Sequence, residues 1–174
     1  MNKSEIDRLL SLEKKVLRDD GELLDVFTID EGFPLKMRID LGSEFDDEAR
    51  FLLDIKQSGK VSFKMTLHFM ENNCKVALSR IDYYGNHQNP MEVLSSVPLK
   101  LCPYAGMLFQ NENHIHYHVD GYSPLAWAMP LSDTDFPVKD IEMGNVSASF
   151  AKAIIEFARM LNIKTRINVQ TTII

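Results

Sequence analysis

The sequence predicts an α+β domain in which a curved, mainly antiparallel sheet, part-way to a partly open barrel, is flanked by an N-terminal and a C-terminal helix. Two patterns predict it. Apolar residues recur with a helical period near each end of the chain, whereas between the ends they alternate with a period of two. Turn residues interrupt the alternating stretches at short intervals, as antiparallel hairpins require. With 174 residues and 45% hydrophobic content the chain can bury one core, so a single domain over residues 1–174 is expected.

Residues 4–18 read as an amphipathic helix: Ile6, Leu9, Leu10, Val16 and Leu17 form one stripe, while Asp7, Lys14, Lys15 and Arg18 lie mostly opposite. Ser4 is its expected cap and Asp19-Asp20-Gly21 its stop. From Glu22 onward, alternation predicts strands over 23–28, 35–41 and 51–56, with Glu31-Gly32-Phe33-Pro34 as a break. Ser58-Gly59 is then a hairpin turn leading into 61–69, the most regular alternation in the chain. A fifth strand is expected at 75–83, placing Arg80 and Asp82 on one face and Ile81 and Tyr83 on the other. Tyr84 to Pro90 reads as a loop presenting His87, with Gly85 and Asn86 permitting left-handed backbone.

Residues 91–112 read as a crossing connection. The densest chemistry follows it, in His114-Ile115-His116-Tyr117-His118. In an extended strand these three imidazoles share one face, and three of the five histidines are concentrated there. Asp120-Gly121-Tyr122-Ser123-Pro124 closes that strand, and 125–131 is expected to pair with it as a hairpin. Ser147 is the expected cap of the C-terminal helix, whose stripe is Phe150, Ile154, Ala158 and Leu161, with Asn162 as the stop. The tail 164–174, rich in Thr, Val and Ile, reads as a last strand or docking segment.

Leu78-x-Arg80-x-Asp82, Gly85-x-His87-x-Asn89-Pro90, His114-x-His116, Gly121-Tyr122 and Trp127-Ala128 come in that order. Together they resemble an uncharacterised bacterial domain family over roughly residues 60–165. His118 stands where the family pattern has tyrosine, and Asp120 where it has glutamate. The resemblance implies no activity of its own beyond an association with toxin and phage-conflict proteins.

On the residues themselves, two histidines and an arginine suit a metal-independent ribonuclease. Such an enzyme needs a general base at the ribose 2′-hydroxyl, a general acid at the leaving oxygen and a cation for the developing charge. In that reading His114 and His116 are acid and base, Arg80 holds the phosphate, Asp82 orients an imidazole, and His87 and Tyr122 help position the substrate. No cofactor is expected. A metal would need His114 and His116 plus a third ligand from His118, His87 or Asp82, but neighbouring imidazoles on a flat strand point parallel and do not converge.

The competing reading is a non-catalytic binding protein or inhibitor of phage or mobile-element origin, acting through a protein partner. Its histidines would merely be satisfied in a network at the sheet surface. A net charge of −6 argues against general attraction to nucleic acid, so RNA binding would need a local basic patch. The N-terminus lacks an apolar leader and no stretch suits a membrane helix, so a cytoplasmic protein with no membrane partner is expected. Cys74 and Cys102 lack any ligand spacing and read as free, buried thiols.

Overall fold

A computed structural model describes residues 1–170. The elements in chain order are α1 (Lys3–Ser11), β1 (Lys15–Leu17), β2 (Leu23–Leu24), β3 (Val26–Ile29), β4 (Lys36–Gly42), β5 (Arg50–Gln57) and β6 (Met65–Glu71). They continue with β7 (Val76–Gln88), β8 (Leu108–Tyr117), β9 (Trp127–Pro130), α2 (Val146–Met160) and β10 (Arg166–Val169). Eight strands form one antiparallel sheet in the order β2-β1-β4-β5-β6-β7-β8-β9. The sheet keeps two edges, β2 and β9, and so does not close into a barrel. β3 leaves it to pair in parallel with β10.

One face of this sheet carries the core. Phe51, Leu53 and Ile55 of β5, Met65, Leu67 and Phe69 of β6, and Ile81 and Tyr83 of β7 are each 1% exposed or less. Alternation put these residues on one side, and the helices supply the cover. Ile6 and Leu9 of α1 and Phe150, Ile154, Phe157 and Ala158 of α2 belong to the same cluster. Burying a side chain of this size stabilises by about 1.5–3 kcal/mol, so the helical stripes are held by packing more than by propensity.

The N-terminal helix is shorter than its periodicity predicts. Asn2, not Ser4, caps it, accepting a hydrogen bond from the Glu5 N–H at 3.0 Å. It ends at Ser11, and residues 15–17 become β1 because they pair with both β2 and β4. Pairing with two neighbouring strands wins over the local helical period, a case of tertiary context overriding propensity. Lys14, expected on the solvated side, is instead fully buried. Its ammonium donates to the carbonyls of Leu10, Leu12 and Leu161 at 3.0, 2.6 and 2.9 Å, closing the ends of both helices with one side chain. It also lies 5.1 and 5.5 Å from the ring centres of Phe51 and Phe69. Burial pushes its pKa down to about 7.

Other boundaries also moved. Residues 61–64 belong to the turn, so β6 begins at Met65. The predicted loop at 84–88 is the continuation of β7, and the histidine strand runs back to Leu108 and stops at Tyr117. α2 starts one residue ahead of its predicted cap, and Asn162 ends it in left-handed backbone with φ 58°. In the tail, β10 occupies 166–169, and the predicted strand beyond residue 170 lies outside the described residues. Both cysteines are free thiols, but Cys74 is exposed in the β6–β7 turn and Cys102 is only half-buried.

Candidate functional site

The sheet face opposite the core carries two rows of polar residues in strict cross-strand register. In one row Arg38, Asp54, His68, Arg80 and His116 stand opposite one another across β4 to β8. In the next row Lys36, Lys56, Thr66, Asp82 and His114 do the same. Opposed side chains on adjacent strands are close enough to interact directly, so this register assembles the site.

Asp82 is its centre. The carboxylate is buried and takes the Thr66 hydroxyl at 2.6 Å and an Arg80 Nη2 donor at 3.0 Å, both on Oδ1. On Oδ2 it meets Arg80 Nε at 2.7 Å, His116 Nε2 at 3.0 Å and His114 Nε2 at 3.5 Å. Burial by itself would raise its pKa, but the His116 hydrogen bond, the Arg80 charge and the Thr66 hydroxyl outweigh that and hold it well below the usual range.

The two imidazoles differ in their hydrogen bonding. His116 donates from Nδ1 to the Leu125 carbonyl at 2.8 Å, and its Nε2 faces the Asp82 carboxylate. Both partners, a carbonyl and a carboxylate, are hydrogen-bond acceptors. His114 donates from Nδ1 to the Glu112 carbonyl at 2.9 Å, which leaves Nε2 with a lone pair. That atom is buried and, among the described residues, has no hydrogen-bond partner. Burial, reinforced by the nearby His116, lowers the His114 pKa to about 4 and keeps the ring neutral at pH 7.

The rings converge, contrary to the flat-strand expectation: their centres are 4.8 Å apart with planes at 63°, and the β7–β8 ladder becomes irregular immediately beyond them. Its register shifts between Asp82 and Gly85 and again between Gly85 and His87. Tyr84 and Asn111, not Gly85 and Asn86, take the left-handed backbone, with φ 56° and 54°. Asparagine side chains hold the bulges: Tyr84 N–H donates to Asn113 Oδ1 at 2.9 Å and Asn111 N–H to Asn86 Oδ1 at 2.7 Å. Gly85 is needed for closeness. A Cβ there would lie 2.6 Å from Asp82 Cβ and 2.9 Å from His114 Cε1.

The remaining sequence candidates divide. His87 sits on β7 with its ring 4.5 Å from that of His116, and its Nε2 bonds the Ala126 carbonyl at 2.9 Å. It packs on the cluster. His118 is past the end of β8 and pairs loosely with Asp120 at 3.6 Å. Tyr122 bonds the Glu92 carbonyl and the Leu94 N–H and stacks edgewise on Trp127, so it organises the neighbouring loop. Asn89 of the His-x-Asn-Pro motif is also structural. It donates to the Tyr104 and Ala128 carbonyls and accepts the Ala128 N–H, completing the edge strand β9.

One residue was missed. His68 stands opposite Arg80 and, with Asp54, Lys56, Thr66 and Arg80, lines a surface pocket of about 250 Å³. Burial, with the Arg80 charge next, lowers its pKa, so its ring is neutral at pH 7. The signal was present in the sequence: alternation put His68 on the polar face of its strand with Thr66. What the sequence lacked was the register that sets it against Arg80. Arg80 joins the pocket to the buried cluster, since 41% of its side chain is exposed while Asp82 behind it is 4% exposed.

Among the described residues no helix is long and apolar enough to cross a membrane. No curated protein and no solved structure gives a match to this chain. A family model does match, over residues 1–163, and this span includes every strand of the large sheet and all the residues of the cluster. The chain belongs to a family of unknown function, DUF6978.

Proposed function

We propose that this chain is a ribonuclease-like protein that cleaves an RNA phosphodiester without using a metal in the chemical step, with the phosphate seated in the pocket beside Arg80. One observation supports the reading above the others. Asp82 fixes a guanidinium that still reaches solvent, directly opposite a neutral histidine lining the same pocket. In this assignment His68, not His114 or His116, is the general base. It takes the proton of the ribose 2′-hydroxyl as the 2′-oxygen bonds to phosphorus. The bond from phosphorus to the 5′-oxygen then breaks, and that oxygen takes a proton from solvent. Arg80 and Lys56 balance the charge that gathers on the phosphoryl oxygens. His114, His116 and Asp82 are positioning residues, because their polar atoms are directed at one another and at backbone.

The test incubates purified protein with a defined RNA and identifies the new ends. Cleavage should leave 2′,3′-cyclic phosphate. His68→Ala should slow it by about 10²- to 10⁴-fold at unchanged thermal stability. Intact RNA after prolonged incubation with folded protein disposes of the proposal. The second reading, a non-catalytic partner of another protein, draws on one feature: Met91, Val93, Leu94 and Leu99 expose apolar surface within a single connection. Inert protein that co-purifies with a stoichiometric partner would favour it.

A further inference from the structure

We propose that Asp82, His114 and His116 form a binding site for one zinc ion, behind the pocket and independent of RNA cleavage. Three observations converge on it. The first is tautomeric: both histidines give Nδ1–H to a backbone carbonyl, Glu112 for one and Leu125 for the other. That arrangement turns each Nε2 inward as a donor atom and fixes its orientation, as backbone carbonyls do for zinc-binding histidines. The second is spacing. Asp82 Oδ2 lies 3.0 Å from His116 Nε2 and 3.5 Å from His114 Nε2, and all three donor atoms are within 4.8 Å of one another. Ligands at zinc bond lengths of about 2.0–2.1 Å in tetrahedral array stand about 3.3 Å apart, and the two shorter spacings bracket that value.

The third is the orphan atom. His114 Nε2 is buried, has no hydrogen-bond partner among the described residues and is aimed at a carboxylate oxygen. A buried lone pair facing an anion is costly unless a cation lies between them. Gly85 sharpens the point, because the bare backbone there closes tightly over Asp82 and His114. The ion would take the place of the His116 proton on Oδ2, which Arg80 Nε also approaches at 2.7 Å, and Arg80 would keep Oδ1 through Nη2. Two neutral imidazoles and one carboxylate make a set that zinc favours.

The test uses tag-free, full-length protein stripped with EDTA and then titrated with zinc chloride. After desalting, elemental analysis should find one zinc per chain. At a hundredfold excess over the dissociation constant the unfolding temperature should rise by roughly 5–10 °C. His114→Gln and His116→Gln should lose the retained zinc, whereas His87→Gln, whose ring only packs on the cluster, should keep it. Wild-type protein that desalts zinc-free with an unshifted melting temperature overturns the proposal, as do folded Gln variants that still hold one zinc. If a Gln variant fails to fold, cobalt loading of the wild type decides. Visible bands of a four-coordinate cobalt site support the assignment, and their absence refutes it. None of these readouts uses RNA, so zinc binding and cleavage succeed or fail separately.

Discussion

Arg80 and His116 face each other across neighbouring strands, and both meet the same oxygen of Asp82, at 2.7 and 3.0 Å. One carboxylate thereby ties a solvent-reaching guanidinium to a sealed imidazole. This is the link between the open pocket and the interior of the sheet.

Replacing Asp82 with Asn should therefore cost more than a surface charge would. The amide keeps the size but carries no charge, so Arg80 loses its anion and His116 is left buried beside a neutral group. We expect a loss of about 3 kcal/mol, read as a lower urea midpoint at pH 7 with an unchanged slope. A loss under about 0.5 kcal/mol would mean that the cluster behaves like an ordinary exposed ion pair.

Gly85→Ala should be destabilising although glycine-to-alanine changes in strands usually help. The new methyl would sit 2.6 Å from Asp82 Cβ, and that neighbour is held in place by three hydrogen-bond donors, from Thr66, Arg80 and His116. A cost of about 1–3 kcal/mol is expected, as for other overpacked sites. Gly144→Ala is the control, since nothing lies within 4 Å of its added carbon. Equal melting temperatures for the two variants would show that the backbone over the cluster is not closely packed.

Lys14 makes stability depend on alkaline pH in an unusual direction. Burial lowers its folded-state pKa from 10.5 to about 7, so between those values the unfolded chain binds the extra proton. Stability should thus rise with pH across that window, by up to about 1.4 kcal/mol per unit. Urea midpoints at pH 7 and 9.5 should show the increase in the wild type and not in Lys14→Met. The variant should also be less stable at pH 7, because three carbonyls lose their donor. A flat wild-type profile would mean that those carbonyls and the rings of Phe51 and Phe69 keep the ammonium charged.

Sequence alone determined the fold class, the apolar stripe of the C-terminal helix, the Ile6–Leu9 part of the N-terminal one, and the face on which Arg80, Asp82, His114 and His116 lie, because a strand's period of two assigns sides without knowledge of its neighbours. The order of Arg80-x-Asp82 and His114-x-His116 was equally legible. Tertiary structure decided what alternation cannot encode: which residues stand opposite one another, and how the strands bend. Register set His68 against Arg80, and the folded sheet brings two imidazoles that a flat strand would hold parallel onto one carboxylate. The same limit hid Lys14, whose helical period placed it in solvent. Its burial comes from residues about 150 positions later in the chain, where the end of α2 supplies the Leu161 carbonyl.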